Sequence, residues 1–190
     1  MIVGECPAKE ECNHHVKGTD WKGNKYDEPM PIPLCGMAGR VLHRLLNWAD
    51  IREGEFILTN ACKVMYLDGK KVRTPTEAEL VAARPDLMLE IRKVDPKLII
   101  TLGKGPIWTI CYHEKESKDD IRMGKLNGVH HTLELDWFDD TMHSYTVLPI
   151  YHPSAIQRDE TGERGYKEAV TQVMLTNKEM IRDCIGRYML

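Results

Sequence analysis

The chain of 190 residues has no long apolar run. None of its hydrophobic stretches approaches the ~20 residues of a membrane-spanning helix, so no membrane association is expected. No basic segment followed by a long apolar stretch opens it; no secretory signal is read, and a cytoplasmic setting is expected. The six cysteines include no CxxC pair. Scattered thiols of this kind read as free cysteines in a reducing compartment, not as a disulfide framework. Cys6 and Cys12 with His14 and His15 fit no standard zinc spacing, so that segment reads as a polar loop and no metal site is expected. Positive charge is not in excess: 26 Lys and Arg face 29 Asp and Glu, a net charge of −3. This excludes a bulk, sequence-blind nucleic-acid binder, whose affinity needs many phosphate contacts. An enzyme with a small local basic rim is still compatible. No internal repeat, low-complexity tract or linker is present. What remains, 42% apolar and 29% charged residues, is the composition of an ordinary globular protein. The length predicts one domain spanning 1–190.

The hydrophobic pattern predicts an α/β fold. Short apolar runs at Met1-Ile2-Val3, Phe56 to Asn60, Leu98 to Gly103 and Val147 to Ile150 read as strands, the third apolar enough to be buried on both faces. Between them Gly36 to Asp50 repeats Ala38, Val41, Leu42, Leu45, Leu46 and Ala49 at helical spacing. Thr76 with Glu79 forms a capping box that opens a second helix; Arg84-Pro85 is expected to kink it, and Leu87 to Val94 continues it. Gly105 to His113 reads as a short helix, His131 to Trp137 as an edge strand and Tyr166 to Tyr188 as a closing helix. Residues 8–33 read as one long loop. Strands alternating with helices predict a three-layer α/β/α sandwich around a mostly parallel, four-stranded sheet.

Two motifs follow strand ends: Gly4-Glu5-Cys6-Pro7-Ala8 and Tyr151-His152-Pro153-Ser154-Ala155-Ile156. In such a sheet the carboxyl ends of the strands share one rim, where ligands bind. A carboxylate and an imidazole on that rim can act as a pair on one substrate.

Further segments complete a pattern. Pro33-Leu34-Cys35-Gly36-Met37-Ala38-Gly39, Ile57-Leu58-Thr59-Asn60-Ala61-Cys62-Lys63, Thr74-Pro75-Thr76, Ala83-Arg84-Pro85 and Pro96 to Gly103 stand between the two motifs. In this order the chain resembles uracil-DNA glycosylases over nearly its whole length, and is most similar to the family 4 type. The resemblance implies hydrolysis of the N-glycosidic bond of a base flipped out of DNA, leaving an abasic site. It implies Glu5 as the group that positions or activates water and counters the sugar's cationic charge. It implies His152 as the donor to the base O2, and Asn60 as reader of the base edge, since its amide both donates and accepts. Gly4, Cys6 and Leu34 would close around the base. Lys63, Pro153, Ser154, Ile156 and Arg158 would meet DNA, with Ile156 as an apolar wedge and Arg158 and Ser154 on phosphates.

The chain departs from the family in two places. The family 4 type holds an iron–sulfur cluster on four cysteines. Two of them would lie upstream of Gly4, and the others would fall at Val64 and Ala83, so no cofactor is expected. Leu34 stands where the family has a base-stacking aromatic, which points to a modified pyrimidine or to an aromatic from the long loop, Trp21 or Tyr26. The partner expected is DNA, single-stranded or already destabilised, bound by a monomer. Two further readings stay open: a non-catalytic nucleic-acid-binding member of the fold, and an N-glycosidase acting on nucleosides or nucleotides.

Overall fold

The computed structural model describes residues 1–12, 15–19, 25–29, 33–52, 54–137, 141–159 and 162–186. Trp21, His14 and Tyr188 lie outside them, as do the side chains of His15 and Tyr26. In chain order the strands are β1 (Ile2–Gly4), β2 (His15–Thr19), β3 (Lys25–Pro29), β4 (Leu58–Asn60), β5 (Tyr66–Asp68), β6 (Lys71–Arg73), β7 (Leu98–Leu102), β8 (His131–Asp136) and β9 (Met142–Ile150). The helices are α1 (Lys9–Cys12), α2 (Met37–Trp48), α3 (Glu77–Val94), α4 (Lys104–Ile107), α5 (Met123–Leu126), α6 (Pro153–Arg158), α7 (Tyr166–Thr176) and α8 (Lys178–Gly186).

The central sheet runs β4-β1-β7-β9-β8. Its first four strands are parallel, and β8 pairs antiparallel with β9 at the edge. The sheet therefore has five strands, the fifth being the edge strand of the His131 segment. Alternate residues of the parallel strands supply two cores, because side chains alternate across a strand. Val3, Ile99 and Val147 face Leu80, Leu87, Met88 and Ile91 of α3 together with Trp108. Ile2, Ile100 and Leu148 face Leu42, Leu45 and Leu46 of α2, Val170 and Met174 of α7, and Ile181 of α8. This is the three-layer sandwich the pattern predicts.

Several elements differ from expectation. The long loop at 8–33 contains α1 and an antiparallel hairpin of β2 and β3. Asp68-Gly69 turns a second hairpin, β5–β6, with Gly69 at φ 58°, a backbone region glycine enters without steric cost. The Thr76 capping box forms in full, but α3 runs unbroken through Pro85, held along its length by the packing of Leu80, Leu87, Met88 and Ile91. The segment after β7 is α4 followed by a π-helical turn, Trp108–Tyr112. The closing helix breaks at Asn177, whose Nδ2 donates to the Val173 carbonyl at 2.9 Å and whose Oδ1 lies 2.7 Å from His130 Nε2. An apolar pocket of about 310 Å³ opens elsewhere on the sheet, between the starts of β1 and β7 and α8, lined by Ile51, Phe56, Leu98 and Ile181. It lies at the opposite end of the strands from the two motifs. Among the described residues no helix is long and apolar enough to cross a membrane.

Candidate active site

The chain leaves β1 and β4 still hydrogen-bonded. Ala61 N–H donates to the Gly4 carbonyl at 2.8 Å and Cys62 N–H to the Glu5 carbonyl at 2.9 Å. Glu5 and Asn60 are thus held at the carboxyl ends of neighbouring strands. At the end of β7 the chain turns through Gly103 (φ 81°), whose N–H donates to the Ile150 carbonyl at 2.8 Å. A Cβ on Gly103 would lie 3.0 Å from His152 Cβ. His152 follows β9 and caps α6. Four adjacent strand ends thereby bring Gly4, Glu5, Cys6, Asn60 and His152 onto one rim.

Two glycines make the close packing of this rim possible. A Cβ on Gly4 would lie 2.3 Å from Asn60 Oδ1, and one on Gly105 would lie 2.2 Å from Glu5 Oε1. Real atoms do not approach so closely, so a side chain at either position would displace Asn60 or Glu5 from its place on the rim.

The charge states follow from burial and neighbours. Burial pushes the Glu5 carboxyl above its ordinary range, and Lys118 and then Lys104 pull it back by their positive charge. Burial holds the His152 imidazole down at about 4, with the Arg158 charge adding to the effect. His152 is therefore neutral at physiological pH. Its Nδ1 accepts the Ser154 backbone N–H at 3.1 Å and lies 2.7 Å from the Ser154 hydroxyl. An Nδ1 that accepts an amide proton carries none itself, so the ring proton sits on Nε2, which is then a donor. Burial, with Glu5 beside it, pushes the Cys6 thiol up to about 12. It stays protonated and is no nucleophile at neutral pH.

The remaining candidates fall into place unevenly. Pro153 is buried at the first turn of α6, Ser154 holds His152, and Arg158 is exposed in the last turn. Ile156 is half-buried against the core beneath α6, with part of its side chain already packed. Leu34 differs from expectation: its side chain is 5% exposed and belongs to the core with Leu42 and Leu45. It sits at φ 57°, and its carbonyl lies where a side chain on Gly39 would have to go. Packed in the core, it presents no open stacking surface. Lys63 also differs. Its ammonium is spent on Glu90, on the Thr59 hydroxyl and on the Asn60 carbonyl at 2.8 Å. These contacts brace the end of β4.

Sequence reasoning missed Gly105 and Glu11. Gly105 gave a faint signal as a second glycine two residues after Gly103, just inside a helix. Glu11 gave none, standing as one acid of the pair Glu10-Glu11. It is 5% exposed and lies beside Asn60.

The family cluster does not fit this chain. Val64 is exposed and Ala83 half-buried at the positions in question, and neither carries sulfur. Cys62 is buried with its thiol 3.9 Å from the Glu79 carbonyl. Among the described residues no three His, Cys, Asp or Glu side chains converge to hold a metal.

Residues 1–174 match the family described as the Uracil DNA glycosylase superfamily. The chain is 29% identical over 158 residues to the type-4 uracil-DNA glycosylase of Saccharolobus solfataricus, covering 82% of this chain and 60% of that protein. It is 26% identical over 163 residues to the type-4 uracil-DNA glycosylase of Thermotoga maritima, covering 86% and 68% respectively. For the protein of the same name from Pyrobaculum aerophilum the figures are 27% over 165 residues, 83% and 67%. The chain thus spans 60–68% of the length of these relatives. With its motifs on one rim and the match running through residue 174, the chain belongs to the uracil DNA glycosylase superfamily.

Proposed function

We propose that the protein is a monofunctional DNA glycosylase that hydrolyses the N-glycosidic bond of uracil, or of a related modified pyrimidine, and leaves an abasic site. The observation that carries this reading is the neutral His152 whose Nδ1 is occupied by Ser154, on the same rim as a half-buried Glu5. The transition state of the reaction puts positive charge on the sugar and negative charge on the departing base. An Nε2–H donor aimed at the base O2 stabilises the second charge without itself ionising. Preorganised donors of this type contribute about 10²–10³ in rate. The Glu5 carboxylate offsets the first charge and orients or deprotonates the attacking water, a role worth about 10²–10⁴. Asn60 reads the base edge through its amide. The names of the relatives support uracil in DNA as the substrate class. With net charge −3 and no aromatic at Leu34, the favoured substrate is single-stranded or destabilised DNA, where extruding the base costs least. Arg158 meets a phosphate and Ile156 the vacated stack. The protein acts as a monomer in the cytoplasm, without a cofactor.

The test is cleavage of end-labelled oligonucleotides, single- and double-stranded, carrying uracil or one of a panel of modified pyrimidines, followed by alkali. A break at one base that falls at least 100-fold in both Glu5→Gln and His152→Ala supports the reading. Retained salt-sensitive DNA binding with no break at any base refutes it in favour of a binding protein. Turnover of free nucleosides alone refutes it in favour of a nucleoside N-glycosidase.

A further inference from the structure

One buried carboxylate at the rim has no part in the mechanism above. Glu11 lies on α1, and three donors converge on it: the Leu34 N–H, the Asn60 side-chain amide and the Ala8 N–H. Asn60 Nδ2 is 3.4 Å from Glu11 Oε2. Burial pushes the Glu11 carboxyl above its ordinary range and these three donors pull it back; in the ionised form that they favour, a carboxylate only accepts. Of the two flips open to the Asn60 amide, one turns its NH₂ group to Glu11 and makes a hydrogen bond. The other sets Oδ1 against a carboxylate oxygen, two acceptors facing each other in a buried place. The missing side chain at Gly4 leaves room for the amide, whose outer atom stands 2.3 Å from where a Cβ there would lie. Lys63 and Thr59 fix the backbone from which the amide projects: Lys63 donates to the Asn60 carbonyl and pairs with Glu90, to which Thr59 also donates at 2.9 Å. The amide is thereby oriented from two sides, and one N–H with the Oδ1 lone pairs is left for a ligand.

We propose that Glu11 is a specificity-determining positioning residue, which locks the Asn60 amide in the flip that reads a uracil-type edge and rejects a cytosine edge. This rests on the reading of Asn60 as the base-reading group. In the locked flip Oδ1 accepts the base N3–H and Nδ2–H donates to O4. Cytosine presents the inverse pattern, an accepting N3 and a donating N4 amine, and pairs only with the inverted amide. Inverting it removes a bond to Glu11 and buries two facing acceptors. An unsatisfied buried polar group of this kind costs enough to give about tenfold to hundredfold discrimination. A glutamine at this position presents either an oxygen or an NH₂ group, and so accommodates both flips. The signature of the role is therefore a change in the ratio between two bases, which a merely structural residue would not move.

The experiment measures Kd for single-stranded oligonucleotides carrying one hydrolysis-resistant 2′-fluoroarabino nucleotide, either the uridine or the cytidine form. Wild-type protein, Glu11→Gln, Glu11→Ala and Asn60→Ala are compared, each checked for folding by circular dichroism. The expected result is a wild-type preference for the uridine form that falls at least tenfold in Glu11→Gln, mainly through tighter binding of the cytidine form. Glu11→Ala, which frees the amide without a competing group, loses the preference as well. A wild-type preference that depends on Asn60 yet survives in both folded Glu11 variants overturns the Glu11 assignment alone. A wild-type protein with no Asn60-dependent preference overturns the reading of Asn60, and the assignment of Glu11 with it.

Discussion

Replacing Gly105 with alanine separates catalysis from stability more sharply than replacing Glu5 itself. Gly105 lies in α4 outside the positive-φ region, so its backbone accepts an L-residue. In a helix interior alanine is better than glycine by ~0.8–1.0 kcal/mol. The added methyl carbon, however, would stand 2.2 Å from Glu5 Oε1, 2.7 Å from Cδ and 2.8 Å from Cγ. Contact between such atoms is comfortable near ~3.5 Å, so a displacement of roughly 1 Å is required. The far end of the Glu5 side chain is the softest part of this contact and moves first. A misplacement of that size costs about 10² in rate, or ~2.7 kcal/mol of barrier. The assay is single-turnover release of base from a labelled oligonucleotide, with a thermal melt on the same preparation. The variant is expected to be about 100-fold slower, with a melting temperature within ~4 °C of wild type, the shift that 1 kcal/mol gives in a chain of this size. A rate within threefold of wild type would show that the carboxylate is not needed where the structure puts it, and would refute the argument.

Two further outcomes are expected. The His152 imidazole, followed by NMR, titrates near 4 in the folded protein, against ~6.5 in an unfolded chain. The unfolded chain thus binds the extra proton first as pH falls, so the stability that neutral His152 contributes is complete above ~6.5 and lost towards pH 4; a folded-state midpoint at or above 6.5 would contradict the neutral donor. Arg158→Ala is expected to weaken DNA binding equally for all sequences and to lower the slope of log K against log salt by about 1. An unchanged slope, measured by fluorescence anisotropy from 50 to 200 mM salt, would remove Arg158 from the interface.

The rim was legible because it depends on strand ends. Runs such as Leu98 to Leu102 are apolar but for Thr101, which marks a strand buried on both faces, and the residues just past such strands are confined to one edge. Glu5, Asn60 and His152 could be placed there from sequence alone. The contacts between them could not. Gly105 matters only because Glu5, 100 residues away, folds against it, and Glu11 only because Asn60 does. The β2–β3 hairpin was hidden for a different reason: the segment 8–33 has no apolar alternation to announce a strand. Pro85 misled in the other direction, since a local rule about proline yields when the helix on both sides is packed. Lys63 read as a DNA contact, and no sequence pattern revealed its pairing with Glu90 on the third helix.

Glu5 is carried by the shortest kind of strand in an interior place of the sheet. β1 has three residues, and both its edges are paired, Ile2 with Leu58 on one side and with Ile100 on the other. So brief a segment has no register of its own; its position is dictated entirely by neighbours that arrive much later in the chain. The carboxylate therefore acquires a fixed place only once β4 and β7 have paired with β1. Without that pairing Glu5 is not held on the rim that carries His152. The proposed activity is thereby a property of the finished sheet, and its loss in denaturant should coincide with loss of the sheet instead of preceding it.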